Sequence, residues 1–427
     1  MLNHLKLTVR RLLRHGNITL INMLGLSIGI AACLLIYLYV HNELTYDGYN
    51  LKKDRIGRAT CTFQSPESDV PLAIAPIPLA RTLEKDYPEV EKTAVLQSIT
   101  AIIRHDNELS KEDDFLYSET PVFDLFTFEF LKGSPNTALK DPGSIVLTRS
   151  LEKKYFPNSS ALGRTLTCNS HPYKVTAVIA DRPANSDIKI GALLYKDFTS
   201  QDWIGDLSAY VFVLFRGKPD WQGFTKRMSS LSKYSQPQLD NAGAKGYHEF
   251  FQIEPLKDVH YSARKLGDTP KGNRQLNAIF SALALFILLI ALLNYINLST
   301  TRAIERAKEV GVRKVIGARP FQLIRQFLGE SSFLVAIAWL LAIGLVLVAI
   351  PYVNKKLDIH LVFGGWQTIV FLVLLFPILV IGAGLYPAFV LSGFQPIRAL
   401  KGQRTRSGKG LSLRKVLTVI QFVIALL

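Results

Sequence analysis

The chain has 427 residues and a formal charge of +16, with 48% hydrophobic and 20% charged residues. The segment 41–275 carries 30 Lys+Arg against 30 Asp+Glu, and everything else carries 20 against 4. Those 20 cations cluster beside long apolar runs, which excludes a soluble nucleic-acid binder and fits a membrane protein that keeps Lys and Arg on its cytoplasmic side.

In chain order, residues 1–17 place Leu2, Leu5, Val9, Leu12 and Leu13 at helical spacing, with Lys6, Arg10 and Arg14 on another face. This predicts a basic amphipathic helix on a membrane lipid surface. Residues 18–40 hold no charge, and 23 residues at 1.5 Å each exceed a hydrocarbon core of roughly 30 Å. The run is too long for a signal-peptide core and no A-x-A site follows, so it reads as a retained transmembrane helix.

The neutral segment 41–275 predicts a folded α/β (α+β) domain of two lobes. Ile77–Tyr87 and Leu151–Tyr155 read as helices, stopped by Pro88 and Pro157. Ser144–Leu147, Tyr173–Ile179 and Tyr210–Phe215 read as strands, and the charged run Lys111–Asp114 as a solvated turn. Cys33 lies in an apolar run; the spacing of Cys61 and Cys168 leaves their redox state open and forms no disulfide framework or zinc pattern.

Residues 276–299, 331–353 and 366–390 are three further transmembrane candidates. Between them lie the loop 300–330 and the basic linker 391–415. Residues 416–427 begin a fifth run too short to span, which predicts that the chain is a fragment of a longer protein. Four cations precede the first helix, seven lie in Thr300–Glu330 and seven in Leu391–Lys415, against Lys355 and Lys356 in the remaining short loop. The N-terminus and the basic loops are therefore expected in the cytoplasm and the domain outside it.

No chemistry is signalled. Gly402 to Gly408-Lys409-Gly410 has the wrong spacing for a P-loop and lacks its Ser/Thr. His248-Glu249 is followed by Gln252 where a second zinc-binding His would stand. No Asp, Glu, Lys or Arg occupies the centre of an apolar run, so no ion pathway is marked. Asn294 and Asn297 are expected to bond between helices, and Gly382-Ala383-Gly384 to serve packing or flexibility. No cofactor, metal or enzyme activity is expected.

The informative stretch is Arg302–Ala318. Charges at i,i+3 and i,i+4 spacing lace one helix surface, Ile304, Ala307 and Gly311 line another, and Gly317 and Pro320 stop it. Phe321, Ile324, Phe327 and Leu328 start a second amphipathic helix. A short two-signed helix suits docking of another protein; a positive loop binding anionic lipid is the plainer alternative.

The run Lys308-Glu309-Val310-Gly311-Val312-Arg313-Lys314 with Gly317-Ala318 resembles the coupling helix of ABC transporter permeases of the MacB/FtsX-like (type VII, mechanotransmission) family. Gly384–Phe389 with Phe394–Gly402 resembles the end of that family's fourth helix. Ser144–Thr148, Lys154–Pro157, Gly163, Tyr173–Val178 and Pro183–Ser186 resemble its periplasmic core domain. The resemblance implies a multi-pass protein of the bacterial inner membrane that couples a separate ABC ATPase dimer to an extracytoplasmic domain. Efflux of peptides, antibiotics or lipoproteins is the activity it implies first. The alternative is an FtsX-like regulator or peptide-sensing relay that transports nothing; a receptor without an ATPase leaves Arg302–Ala318 unexplained. Glu305, Glu309, Val310, Gly311, Arg313 and Lys314 become the expected ATPase contacts. A second permease unit, as tandem repeat or homodimer, and a periplasmic adaptor are the other expected partners. Gly25 and Gly29 mark either the face between two units or close packing within one.

Overall fold

The computed structural model of the chain describes residues 16–105, 108–244, 246–305, 307–392 and 419. The expected helix before Gly16, the basic linker beyond Ser392, the Gly402–Gly410 loop and all of the fifth run but position 419 lie outside them.

The chain opens with α1 (Gly16–Leu44), followed by β1 (Ile56–Gln64), β2 (Asp69–Leu72), β3 (Ala75–Pro76), α2 (Ile77–Asp86), β4 (Val90–His105), β5 (Glu108–Ser118), β6 (Phe130–Lys132) and β7 (Ser144–Thr148). Then come α3 (Arg149–Tyr155), β8 (Thr165–Cys168), β9 (His171–Ile179), β10 (Ala192–Tyr195), β11 (Leu207–Phe215), α4 (Trp221–Met228), α5 (Ser232–Asn241) and β12 (His248–Pro255). The long helix α6 (Arg274–Glu305), the short α7 (Ala307–Val315), α8 (Pro320–Leu357) and α9 (Trp366–Ser392) complete it. Single-turn helices, among them Leu256–Val259, fill several connections. Contacts divide the chain into two units, Glu43–Arg274 and the remainder.

In the inserted domain a 12-stranded mixed sheet runs β12-β1-β11-β4-β5-β10-β7-β9-β6, with β2, β3 and β8 paired at its sides. Most neighbours are antiparallel; β7 with β9 and β10 with β5 are parallel. The two halves of the sheet join through β4, whose first half pairs with β11 and second half with β5. Because side chains alternate across a strand, both faces are read from β11 directly. Val211, Val213 and Phe215 enter one core with α2, α4 and β12. Phe212 and Leu214 enter a second core on the other face, which continues to Val146, Ala177 and Leu193. A third core, around Ile145, Leu147, Leu151 and Val175, covers the far half of the first face. Burial on both faces is why these strands are nearly continuous apolar runs.

Local signals explain the helices. α2 buries Ile77, Leu79, Ala80 and Leu83 and ends where Tyr87 turns extended ahead of Pro88. The Asp220 carboxylate accepts from the Gly223 N–H and caps α4. Lys111–Asp114 is not a turn: it lies within β5, paired to β4. Cys61 and Cys168 are buried free thiols in different cores. Burial pushes the Cys168 thiol up to about 11 and Cys61 higher still, so neither is reactive.

Among the described residues of the other unit, four helices are long and apolar enough to cross a membrane: 20–44 of α1, 274–300 of α6, 321–357 of α8 and 366–385 of α9. Leu26, Ile30 and Leu34 of α1 share one core with Ala291 and Tyr295 of α6, Val335, Ala338 and Ala342 of α8, and Leu375, Leu379 and Ala383 of α9. Small residues set the distances. A Cβ at Gly29 would collide with Ala291, one at Gly382 would stand 2.8 Å from Leu292 Cδ2, and one at Gly384 2.9 Å from Leu328 Cδ2. The ring of Tyr37 stacks on Phe371 with centroids 3.7 Å apart, and its hydroxyl donates to the Gln367 carbonyl. Asn294 is exposed; the bond across this contact runs from Asn22 Nδ2 to the Tyr295 carbonyl, 3.4 Å. Ile279, Leu285, Leu340, Val348, Val373 and Ile378 point outward, as lipid-facing residues do.

Candidate functional site

Between the second and third apolar helices the chain turns through α7. Gly317 takes φ +99° after the last helical residues. Its N–H donates to the Lys314 carbonyl and the Ala318 N–H to the Arg313 carbonyl, 3.1 and 2.9 Å, which closes a Schellman stop. Pro320 then opens α8 at its first turn, while the Gln322 side chain accepts from the Arg319 N–H at 3.0 Å. The result is one fixed corner between α7 and α8.

One face of α7 is anchored. Val310 is buried with Leu323 and Phe327 of α8 and Ala388 of α9, and Gly311 beside it is buried too. Arg313 donates to Gln326 Oε1 at 2.8 Å, and Gln326 Nε2 donates to Glu330 at 3.2 Å. Lys314 is half-buried. Of the expected contact residues, Val310 and Gly311 thus hold α7 in place, and Arg313 ties it to α8. The side chains of Glu305 and Glu309 lie outside the described ones. The opposite face is apolar and exposed: Val312, Val315, Ile316 (80% exposed) and, across the turn, Phe321. Sequence reading missed this patch because it weighed the charges and the Ile304–Ala307–Gly311 stripe; the signal available was Val315-Ile316 directly ahead of the glycine stop.

The two glycines of α1 differ. Gly29 meets α6 within the unit, whereas a Cβ at Gly25 would have none of the described residues within 4 Å.

The inserted domain holds a second polar constellation, at its own chain ends. Arg58 of β1 has no exposed surface. It bonds Glu254 through Nε and Nη2 at 2.9 and 2.7 Å, pairs with Asp268 at 2.8 Å and has Asp187 at 3.8 Å. Lys271 pairs with Asp268 at 2.8 Å and Asp187 at 3.3 Å, and Lys265 with Glu254 at 3.0 Å. His260 carries Glu43 at 3.1 Å on Nε2 and Asp187 at 3.8 Å on Nδ1. Burial works against ionisation of Asp187 and Asp268, but His260, Lys271 and Arg58 around them hold both carboxyls below the usual range.

Among the described residues, four apolar helices, an α/β domain inserted between the first two and an anchored short helix between the second and third are the build of a multi-pass membrane protein. Residues 19–227 match the family described as MacB-like periplasmic core domain, and residues 281–396 the one described as FtsX-like permease C-terminal. The chain belongs to the ABC transporter permeases of this MacB/FtsX-like family. It is similar to the pyoverdine export ATP-binding/permease protein PvdT of Pseudomonas putida, 24% identical over 276 residues, covering 62% of this chain and 39% of that protein. The macrolide export ATP-binding/permease protein MacB of Neisseria meningitidis is 25% identical over 213 residues, 49% of this chain and 31% of that one. An ABC transporter permease of Bacillus subtilis, YvrN, is 22% identical over 371 residues, 80% of this chain and 86% of that one. The matched part of the chain thus spans less than half of PvdT or MacB.

Proposed function

We propose that the chain is the permease subunit of an ABC exporter, in which an ATPase dimer on a separate chain engages α7 and drives the domain between α1 and α6. The observation that carries this reading is the two-sided build of α7, buried at Val310 and exposed at Val312, Val315, Ile316 and Phe321. A partner that covers Val315 and Ile316 gains roughly 1.5–3 kcal/mol from each side chain. An exposed apolar patch among cations is how a docking surface presents itself. By the cation distribution, α7 faces the cytoplasm of a bacterial inner-membrane protein and the inserted domain the opposite side. By resemblance to the family's coupling helix, Glu305, Glu309 and Lys314 are proposed as charged contacts of the same ATPase. The pyoverdine and macrolide export named for PvdT and MacB supports extrusion as the work done, with a peptide, antibiotic or lipoprotein proposed as its cargo. Gly25, open on α1, suits the face of a second permease unit, and an adaptor is proposed for the inserted domain.

The test is affinity purification of the tagged full chain from native membranes, with mass spectrometry of what accompanies it. Wild type is expected to bring an ABC ATPase, and Ile316→Asp to lose it at equal yield. No ABC ATPase with wild type, or undiminished capture by Ile316→Asp, overturns the reading.

A further inference from the structure

Three stretches distant in sequence meet at His260. The first is the end of α1 and the turn after it: Glu43 reaches Nε2, and Tyr46 stacks on the imidazole with centroids 3.5 Å apart. The second is the loop 185–187. Asn185 Nδ2 donates to the Thr45 carbonyl and hydroxyl, Ser186 donates to Asp47 Oδ1, and the Asp187 N–H donates to Asp47 Oδ2. Asp187 also faces Nδ1 of His260. The third is the segment that enters α6: the Gly272 N–H donates to the His260 carbonyl at 2.8 Å. A Cβ at Gly272 would fall 2.5 Å from His260 Nε2 and 2.7 Å from Glu43 Oε2. Only a glycine lets the carboxylate and imidazole close over this segment.

With all four carboxylates ionised, the charges balance when His260 is protonated. Glu43, Asp187, Glu254 and Asp268 oppose Arg58, Lys265 and Lys271, and a protonated His260 makes the cluster neutral. The flanking Asp47–Arg182 pair is neutral by itself. The groups that face His260 are Glu43 and Tyr46 from the α1 side, Asp187 from the loop, Tyr261 beside it and Gly272 ahead of α6, with Lys271, Arg58 and Asp268 behind Asp187.

We propose that His260 is a positioning residue: as a cation it fixes the incoming end of the domain at Glu43 and the outgoing end at Gly272 to the ion cluster buried on the sheet. Movement of either end is then transmitted to the sheet instead of being absorbed in a loop. That consequence for ATP-driven coupling rests on the function proposed above; the positional claim does not. Burial opposes the charge on His260, but the Asp187 and Glu43 carboxylates raise its pKa above the ordinary value. A raised value means that the clamp is complete below the ordinary histidine range, near pH 6.5, and opens as pH rises through the folded value.

The experiment is hydrogen exchange with mass spectrometry on the purified full chain in nanodiscs, without any ATPase. At pH 6, after correction for intrinsic rates, peptides covering 43–50 and 268–274 are expected to be protected. Loss of one clamped charge at high pH is expected to cut that protection about tenfold. His260→Gln should be weakly protected at both pH values, without the pH response. Glu43→Gln and Gly272→Ala should shift the response to lower pH, and Glu43→Asp should restore part of it. A wild-type pH response in His260→Gln, or changes confined to 256–262, overturns the proposal. If His260→Gln does not fold, the shift in Glu43→Gln decides alone, and an unshifted response overturns it. With no ATPase present, the result is independent of whether one docks on α7.

Discussion

Gly29 of α1 lies so close to Ala291 of α6 that any side chain at position 29 would enter the alanine methyl, whereas a Cβ at Gly25, one turn earlier, meets none of the described residues within 4 Å. The two glycines share a spacing and differ in role. Gly29→Ala is expected to lower the thermal midpoint of the full chain in detergent, at an overpacking cost of about 1–3 kcal/mol. Gly25→Ala should leave it unchanged or slightly raised, since alanine favours the helix. Equal loss at both positions contradicts this assignment.

Removing one partner from the buried ion cluster should cost far more than removing a surface pair. Asp268→Asn leaves Arg58 and Lys271 short of a carboxylate, and the expected loss is about 3–5 kcal/mol. Arg81→Ala, which breaks exposed contacts with Asp197 and Glu119, should cost about 0–1 kcal/mol. Both are read by chemical denaturation of the full chain.

The same cluster predicts acid lability with a definite sign. Asp187 and Asp268 have folded values below their unfolded ones. Their stabilisation is present above the ordinary carboxylate pKa, about 3.9, and lost as pH falls through the folded value. Midpoints measured from pH 6 to pH 3 should fall in wild type and fall less steeply in Asp268→Asn.

Glu249 behaves oppositely. It is fully buried on β12 beside Ser235, and burial pushes its pKa up. Its stabilisation is therefore complete below about pH 4.3 and lost as pH rises through the folded value. Glu249→Gln should raise the midpoint near pH 8 by about 1–2 kcal/mol of stability and flatten the pH profile there. A lower midpoint at pH 8 would contradict this.

Glu249 also shows where sequence reading stops. β12 alternates strictly, but with Glu249 inward and Phe250 outward, the reverse of the usual polarity, so His248-Glu249 looks like a fragment of a metal motif instead of a strand. The Lys111–Asp114 run hides β5 for a similar reason: half of that strand faces solvent and carries charge. The apolar helices and the two-face-buried strands β7, β9 and β11 were legible because one composition serves every position. The stop of α7 was legible from Gly317 and Pro320. The clamp at His260 was not, because its members come from Glu43, Asp187, Asp268 and Gly272, and only the folded sheet brings them together.

α7 carries a buried residue, Val310, and an exposed one proposed for docking, Val315, within two turns. Val310→Asp places a charge among Leu323, Phe327 and Ala388 and should destabilise the helical unit by several kcal/mol. Val315→Asp changes an exposed side chain and should leave the thermal midpoint within about 0.5 kcal/mol of wild type.

The central claim is that the outward face of α7 receives an ATPase. The most direct measurement is ATP hydrolysis by the purified complex in nanodiscs, with wild type compared against Val315→Asp and Ile316→Asp at matched permease content. Permease stimulation is expected to fall at least about tenfold in both variants while their thermal midpoints hold. Undiminished stimulation in both would contradict it.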